Sequence, residues 1–265
     1  MRFVPIASGS SGNCVYVGSQ RTHLLVDSGI SCKRIEEGLN ELDITGSDLD
    51  GILITHEHVD HIGGLGVICR KLSIPVYATS ATIEAIKAYD RLGKVEEDVF
   101  HPIEPDEDLF IKDICVHPFR ISHDAADPVG YTFSEGNTKV AVATDMGTYN
   151  DYTVENLKNS DALLVEANHD IRMLQVGPYP YVLKQRILSD KGHLSNEASG
   201  RLVSDILHDN MKQIMLGHLS KENNMPELAF ETVRLEIEMG ENAYKASDFD
   251  ICVANRDTLS RIFEL

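Results

Sequence analysis

No apolar run in this 265-residue chain approaches the roughly 18 residues that crossing a bilayer takes, so no membrane partner is expected. Cysteine is scarce. Its five copies, Cys14, Cys32, Cys69, Cys115 and Cys252, are odd in number, scattered, and form no C-x-x-C pair. That argues against a disulfide framework and for buried thiols in a reducing cytoplasm. The N-terminus, Met1-Arg2-Phe3-Val4-Pro5, carries one positive charge but no long apolar core or small-residue cleavage site, and does not read as a signal peptide. Positive charge is also in short supply: 24 Lys and Arg stand against 42 Asp and Glu, a net −18. This argues against broad non-specific nucleic-acid binding, although bound metals and a local basic patch can still attract phosphate. Much of the acid is clustered, in Glu96-Glu97-Asp98 and from Glu104 to Asp108, where solvated loops are expected. Linkers, low-complexity segments and residue-level repeats are absent. With 42% hydrophobic residues, 1–265 reads as a single domain.

What is present begins as a β-meander. Val4 to Ile6 and Cys14 to Val17 read as strands around Ser8-Gly9-Ser10-Ser11-Gly12-Asn13, and His23 to Val26 as a third strand ending at Asp27. Ser31 is a good N-cap for a helix through Ile35 and Leu39. Strands follow at Ile52–Ile54 and Ile74–Ala78, and a helix from Thr79 or Ser80 to Tyr89. The pattern then turns to β at 109–111, 114–119 and 129–133, with Glu135-Gly136-Asn137 as a hairpin turn into 139–143. A short strand is expected at 161–165, helices at 180–188, 196–207 and 226–239, and strands at 214–216 and 248–254, the last closing the chain. Strands fall in two groups, each followed by helices, without regular βαβ alternation. An α+β arrangement of two packed sheets with helices outside fits this best.

One stretch dominates the chemistry. Gly51-Ile52-Leu53-Ile54 runs into Thr55-His56-Glu57-His58-Val59-Asp60-His61, with a helix expected after it from Ile62 to Cys69. Three imidazoles and a carboxylate at this density are costly near a core unless a cation holds them. His56 and His58, two apart in an extended segment, point to one side and suit one ion. Asp60 and His61, past the bend, reach a second. Two ions need further ligands, and three candidates each follow an apolar strand: His123 after Phe119-Arg120-Ile121-Ser122, Asp145 after Val140 to Thr144, and His218 after Ile214-Met215-Leu216-Gly217.

With Asp27, the H-x-H-x-D-H stretch and then His123, Asp145 and His218 in that order, the chain resembles the metallo-β-lactamase-fold hydrolases. The resemblance implies a four-layer αββα sandwich with the metal site at one edge of the two sheets. It implies His56, His58 and His123 on one divalent ion, Asp60, His61 and His218 on another, Asp145 bridging, and Asp27 as a supporting residue. No cysteine stands at a motif position, and a carboxylate bridge suits Zn, Mn or Fe. Two such ions bring about +4. Two carboxylates and a bridging hydroxide nucleophile leave about +1 to meet a phosphodiester anion.

Ser8 to Asn13, Glu166-Ala167-Asn168-His169, Gly192-His193-Leu194-Ser195-Asn196 and Leu216-Gly217-His218-Leu219-Ser220 resemble the YycJ/WalJ group of this superfamily. That resemblance implies 5′-to-3′ exonuclease action on DNA, and likeness to tRNA 3′-processing endonucleases and cyclic phosphodiesterases. It also implies that His193 acts on the leaving oxygen, oriented by Glu166, whose charge would keep the imidazole protonated. The plainer alternative is that His193 caps the helix starting near Ser195. Asp60 belongs to the catalytic set as well. Substrate contacts are expected from Ser10, Ser11 and Asn13, whose loop reads equally as a tight turn, and from His169, Lys184 and Lys221. Lys184 and Arg186 point about 200° apart on a helix, so only one faces a site. His23, His101, His117 and His208 have no matching context. The rivals are a small-molecule cyclic phosphodiesterase, a thioester or lactone hydrolase of the same fold, and a metal-binding module without turnover.

Overall fold

Short runs of β-branched and aliphatic residues become strands and the amphipathic stretches between them become helices in the computed structural model, which describes residues 1–265. In chain order the elements are β1 (Arg2–Ala7), β2 (Cys14–Gly18), β3 (His23–Val26), α1 (Cys32–Glu41), β4 (Gly51–Leu53), α2 (Val59–Ile62), α3 (Leu65–Leu72), β5 (Val76–Thr79), α4 (Ser80–Lys87), β6 (Phe100–Ile103), β7 (Leu109–Ile111), β8 (Ile114–Arg120) and β9 (Val129–Glu135). There follow β10 (Thr138–Ala143), α5 (Asp151–Leu157), β11 (Ala162–Glu166), α6 (Ile171–Val176), α7 (Tyr181–Ile187), α8 (Asn196–Ile206), β12 (Gln213–Gly217), α9 (Pro226–Met239), β13 (Asp250–Val253) and β14 (Phe263–Glu264). These strands make two seven-stranded mixed sheets flanked by helices.

Residues 1–120, 125–137 and 255–265 form one unit. It holds the whole first sheet, in the order β14-β1-β2-β3-β4-β5-β6, and strands β7–β9 of the second. β1, β2 and β3 run antiparallel and β3 to β6 parallel. β2 and β4 are buried along their full length, as expected of strands covered on both faces. On one face, Ile35 and Leu39 of α1 and Leu65 and Ile68 of α3 join Val4, Ile6, Leu25, Ile52 and Ile54 in a continuous core. Ser31 caps α1 as expected, accepting from the Arg34 amide. The two strand layers are tied by Tyr131 Oη donating to Ile54 O at 2.8 Å and Val129 N donating to Thr55 O at 3.0 Å.

The second unit, residues 121–124 and 138–254, carries parallel β10–β11–β12–β13. Its α8 and α9 pack so closely that a Cβ on Gly200 would lie 3.1 Å from Val233 Cα.

Half of each sheet is therefore a parallel run with helical crossovers, which amends the expectation that regular βαβ alternation is lacking. The alternation is hidden because β6, α5 and α6 escape the sequence pattern. β6 reads Phe-His-Pro-Ile at a sheet edge with its middle two residues exposed, and α5 buries only Thr153 and Leu157. In place of the single helix expected from Ile62 to Cys69 there are two, α2 and α3, and Asp60 and His61 sit in the first turn of α2 rather than in a loop. β14 follows the strand read as the last. All five cysteines are free, with Cys115 and Cys252 half-buried rather than buried. No helix is long and apolar enough to cross a membrane.

Candidate active site

In the first unit, three loops at the ends of β1, β3 and β4 converge. Asp27 leaves β3 with a left-handed backbone, φ +62°. Its carboxylate accepts from Thr55 N at 2.8 Å, from Thr55 Oγ1 at 2.9 Å, and from His61 Nδ1 at 2.7 Å. The single Thr55 hydroxyl proton goes to Asp27, so Thr55 Oγ1 accepts from His56 Nδ1 at 3.0 Å. Burial raises the Asp27 carboxyl above its ordinary value, and its bonds to His61 and Thr55 offset only part of that rise. His56 and His61 are fully buried, their rings 4.1 Å apart, and the His58 ring lies 4.6 Å from that of His56. Asp60 Oδ2 lies 3.6 Å from His61 Nε2. The amides of Ser28 and Asn13 donate to the His61 and Asp60 carbonyls, both at 2.8 Å, and clamp the first turn of α2. Gly29 is pressed against the same turn: a Cβ there would fall 1.7 Å from Asp60 O.

The second unit repeats the arrangement at the ends of β10, β11 and β12. Asp145 and His218 follow their strands with φ +62° and +54°. Glu166 closes β11, fully buried, and all its acceptor positions are used. Oε1 accepts from His193 Nδ1 at 2.7 Å and His218 Nδ1 at 2.9 Å, and Oε2 from Met146 N and Leu194 N. Asp145, Glu166, His193 and His218 are close enough to suggest an ion cage. The two short Nδ1 distances instead make Glu166 the hydrogen-bond partner of both imidazoles, not a ligand. Burial raises the Glu166 pKa, and the two imidazoles more than reverse this, bringing it to about 2. For His193 burial favours the neutral ring, yet the Glu166 carboxylate outweighs it and the pKa rises above the ordinary value. His123 Nδ1 donates to Gly192 O at 3.0 Å, leaving Nε2 3.8 Å from Asp145 Oδ1 and 3.5 Å from Asp124 Oδ1.

These bonds assign tautomers. In His56, His61, His123 and His218, Nδ1 is the donor, to a hydroxyl, a carboxylate, a carbonyl and a carboxylate respectively. Each Nε2 therefore presents a lone pair, the form in which imidazole binds a metal. The donor set, imidazole nitrogens with carboxylate oxygens, fits divalent Zn, Mn or Fe. His193 differs from His218 in access: its side chain is 21% exposed against 1%. It does not cap α8, since Ser195 does so by accepting from the Ala198 amide.

The other expected residues are spread more widely. Ser10 and Ser11 are exposed in their turn, while Asn13 is buried, its Oδ1 accepting from Gly9 N and its Nδ2 3.2 Å from His61 Nε2. His169 is 1% exposed, with Nδ1 3.3 Å from Asn168 Oδ1, and burial lowers its pKa to about 4. Lys184 Nζ donates to Gln175 O, Arg186 pairs with Asp124, and Lys221 is exposed. The sequence reading passed over Thr55 and Asp124, although each adjoins a flagged histidine. The Gly192 carbonyl leaves no signal in sequence at all.

A family model for the β-lactamase superfamily domain matches residues 22–218. The exodeoxyribonuclease YycJ of Bacillus anthracis is 42% identical over 238 residues, covering 90% of this chain and 89% of that protein. The exodeoxyribonuclease WalJ of Streptococcus pneumoniae serotype 2 is 41% identical over 260 residues, covering 98% and 96%. Among solved structures, zinc-bound PqqB from Methylobacterium extorquens superposes with a TM-score of 0.74 over 100% of both chains at 16% identity, a likeness of fold.

Proposed function

The chain belongs to the metallo-β-lactamase superfamily and is a hydrolase homologous to exodeoxyribonucleases, and from that premise we propose that it is a binuclear metal-dependent phosphodiesterase that digests DNA from 5′ to 3′. The observation that carries the reading is the anchoring of four buried imidazoles through Nδ1, which leaves Nε2 of each ring as the nitrogen able to ligate a cation. His56, His58 and His123 are the proposed ligands of one ion and Asp60, His61 and His218 those of the other, and Asp145 would complete the set. The family match begins in the first unit and ends in the second, which supports residues 1–265 acting as a single domain. Five free thiols suit a reducing cytoplasm.

Bound there, divalent ions would supply Lewis acidity, lowering the pKa of a water and offsetting charge on the phosphoryl oxygens. The chain's own residues do the rest. Asp27 and Thr55 fix the rings of His61 and His56, and Glu166 fixes those of His218 and His193. With Nδ1 bonded to Glu166, the protonated His193 holds its other proton on Nε2 and delivers it to the departing 3′ oxygen. Ser10, Ser11, Asn13, His169, Lys184 and Lys221 are the proposed substrate-side residues.

Elemental analysis of protein purified without added metal, then assay of labelled 5′-phosphorylated duplex DNA beside cyclic phosphodiesters with Mn or Zn, tests the reading. Expected are about two bound ions, as a two-metal site requires, and mononucleotides released from the 5′ end. The net charge of −18 favours a second reading, a small cyclic phosphodiester as substrate, since such a molecule needs no basic groove. Turnover of the cyclic compounds with intact DNA would establish that alternative.

A further inference from the structure

We propose that Arg256 and the Ser8–Asn13 turn form a subsite for a phosphate group of the substrate strand, next to the metal-binding residues of the first unit. The proposal rests on the phosphodiesterase reading above.

Arg256 lies in the closing segment of the chain, which returns to the first unit and is stitched to it by backbone bonds. Ser8 N donates to Asn255 O at 3.1 Å and Ser260 N to Pro5 O at 2.9 Å. The arginine is thereby laid across Gly9. A Cβ on Gly9 would lie 2.7 Å from Nη1, 3.2 Å from Cζ and 3.3 Å from Cγ of Arg256, so only a glycine leaves the stem and the guanidinium their present place. The two residues after Gly9 are Ser10 and Ser11, both exposed. The turn itself is fixed. Gly12 N donates to Gly9 O at 3.0 Å, and Asn13 Oδ1 accepts from Gly9 N at 2.9 Å. The same Asn13 places Nδ2 3.2 Å from His61 Nε2, and its backbone amide donates to Asp60 O. The Arg256 side chain, laid on Gly9, and the exposed hydroxyls of the next two residues therefore lie at one turn, whose Asn13 also approaches His61. That combination matches the oxygens of a phosphate, which takes several donors at once and favours the guanidinium fork. Arg256 carries no signal in sequence, because it lies near the far end of the chain from the turn it covers.

The test uses the full chain loaded with Mn and a single-stranded DNA oligonucleotide, 5′-phosphorylated or 5′-hydroxyl, beside bis(p-nitrophenyl) phosphate. Loss of a charge-assisted bond predicts that Arg256→Ala raises KM for DNA about tenfold or more, with kcat on DNA much less affected. The slope of log KM against log salt should fall by about one phosphate contact. Arg256→Lys should lie between. Gly9→Ala, which pushes the guanidinium aside, should raise KM in the same direction without lowering the melting temperature. An effect confined to the 5′-phosphorylated strand identifies the terminal phosphate as the ligand, and an equal effect on both strands identifies the backbone. A DNA KM that stays within about twofold in Arg256→Ala, below the worth of one such bond, would overturn the proposal. So would equal losses on DNA and on bis(p-nitrophenyl) phosphate, or a Gly9→Ala that behaves as wild type. Should the wild type bind the oligonucleotide, by fluorescence anisotropy, without cutting it, the nuclease reading fails, and Arg256→Ala is then judged on binding alone. If the wild type neither binds nor cuts it, both fall.

Discussion

Glu166 accepts from two imidazoles and two backbone amides, and this sets the chemistry of His193. With its pKa held near 2 it stays ionised at any working pH, and its charge raises the His193 pKa above the ordinary value against the opposing effect of burial. Removing the ring, in His193→Ala, should lower kcat by about 10²- to 10⁴-fold, the usual worth of a general acid. Glu166→Gln tests the coupling. Without the carboxylate, burial dominates and the His193 pKa drops. The alkaline limb of the kcat–pH profile should then move to lower pH by about one unit or more. A limb that stays in place would remove His193 from proton transfer. His169 supplies a stability counterpart. Folding depresses its pKa from 6.5 to about 4. An unfolded chain therefore takes up this proton as pH falls through 6.5, while the native one waits until about 4. The stabilisation is complete above 6.5 and is lost as pH falls across that window, about 3 kcal/mol in all. Urea titrations at pH 7 and pH 4.5 should show a smaller loss in His169→Asn than in wild type. The Glu166–His193 pairing was legible in sequence because both residues sit in short motifs. Two of the four partners that assign the tautomers were not, because one is the Thr55 hydroxyl and the other the Gly192 carbonyl.

Strand ends are where this fold places its chemistry, and they do so with unusual backbone. Asp27, Asp145 and His218 each leave a strand at positive φ, between 54° and 62°, at a cost of about 1 kcal/mol or more for a residue with a Cβ. An apolar run followed by His or Asp was enough to find these residues. Their identity announced the conformation only weakly, since Asp and His visit it more often than most side chains but glycine is the usual signal for it. Elements with few buried side chains were the ones missed, as β6 and α5 show, whereas α9 was read with its observed limits because Pro226 opens it and its apolar positions recur through Ile237. The turn formed by Ser28 and Gly29 holds α2 in place by contact, not by side-chain chemistry. Gly29→Ala would drive a methyl group into the Asp60 carbonyl. The displaced backbone should cost about 1 to 3 kcal/mol. Metal affinity should weaken about 10- to 100-fold, the range typical when ligand support is lost. Thermal melts and chelator competition measure the two effects. A variant that melts earlier but keeps its metal would show that the turn supports the fold alone.

A chain carrying −18 has to approach a polyanion through a restricted area. The first unit places Arg256 beside the Ser8–Asn13 turn, and near other proposed site residues Arg186 pairs with Asp124 and Lys184 bonds a carbonyl. On the proposed binuclear reading, most of the productive attraction would then come from the ions and a small number of side chains. Salt dependence distinguishes this arrangement from a long basic groove. For single-stranded DNA each neutralised phosphate contributes about −0.7 to the slope of log affinity against log salt. Two or three contacts therefore predict a slope no steeper than about −2 between 50 and 200 mM salt, where a groove with eight contacts would give about −6. Measured as 1/KM on an oligonucleotide at fixed Mn, the shallow value is expected. A steep one would mean that an extended cationic path exists despite the acidic surface.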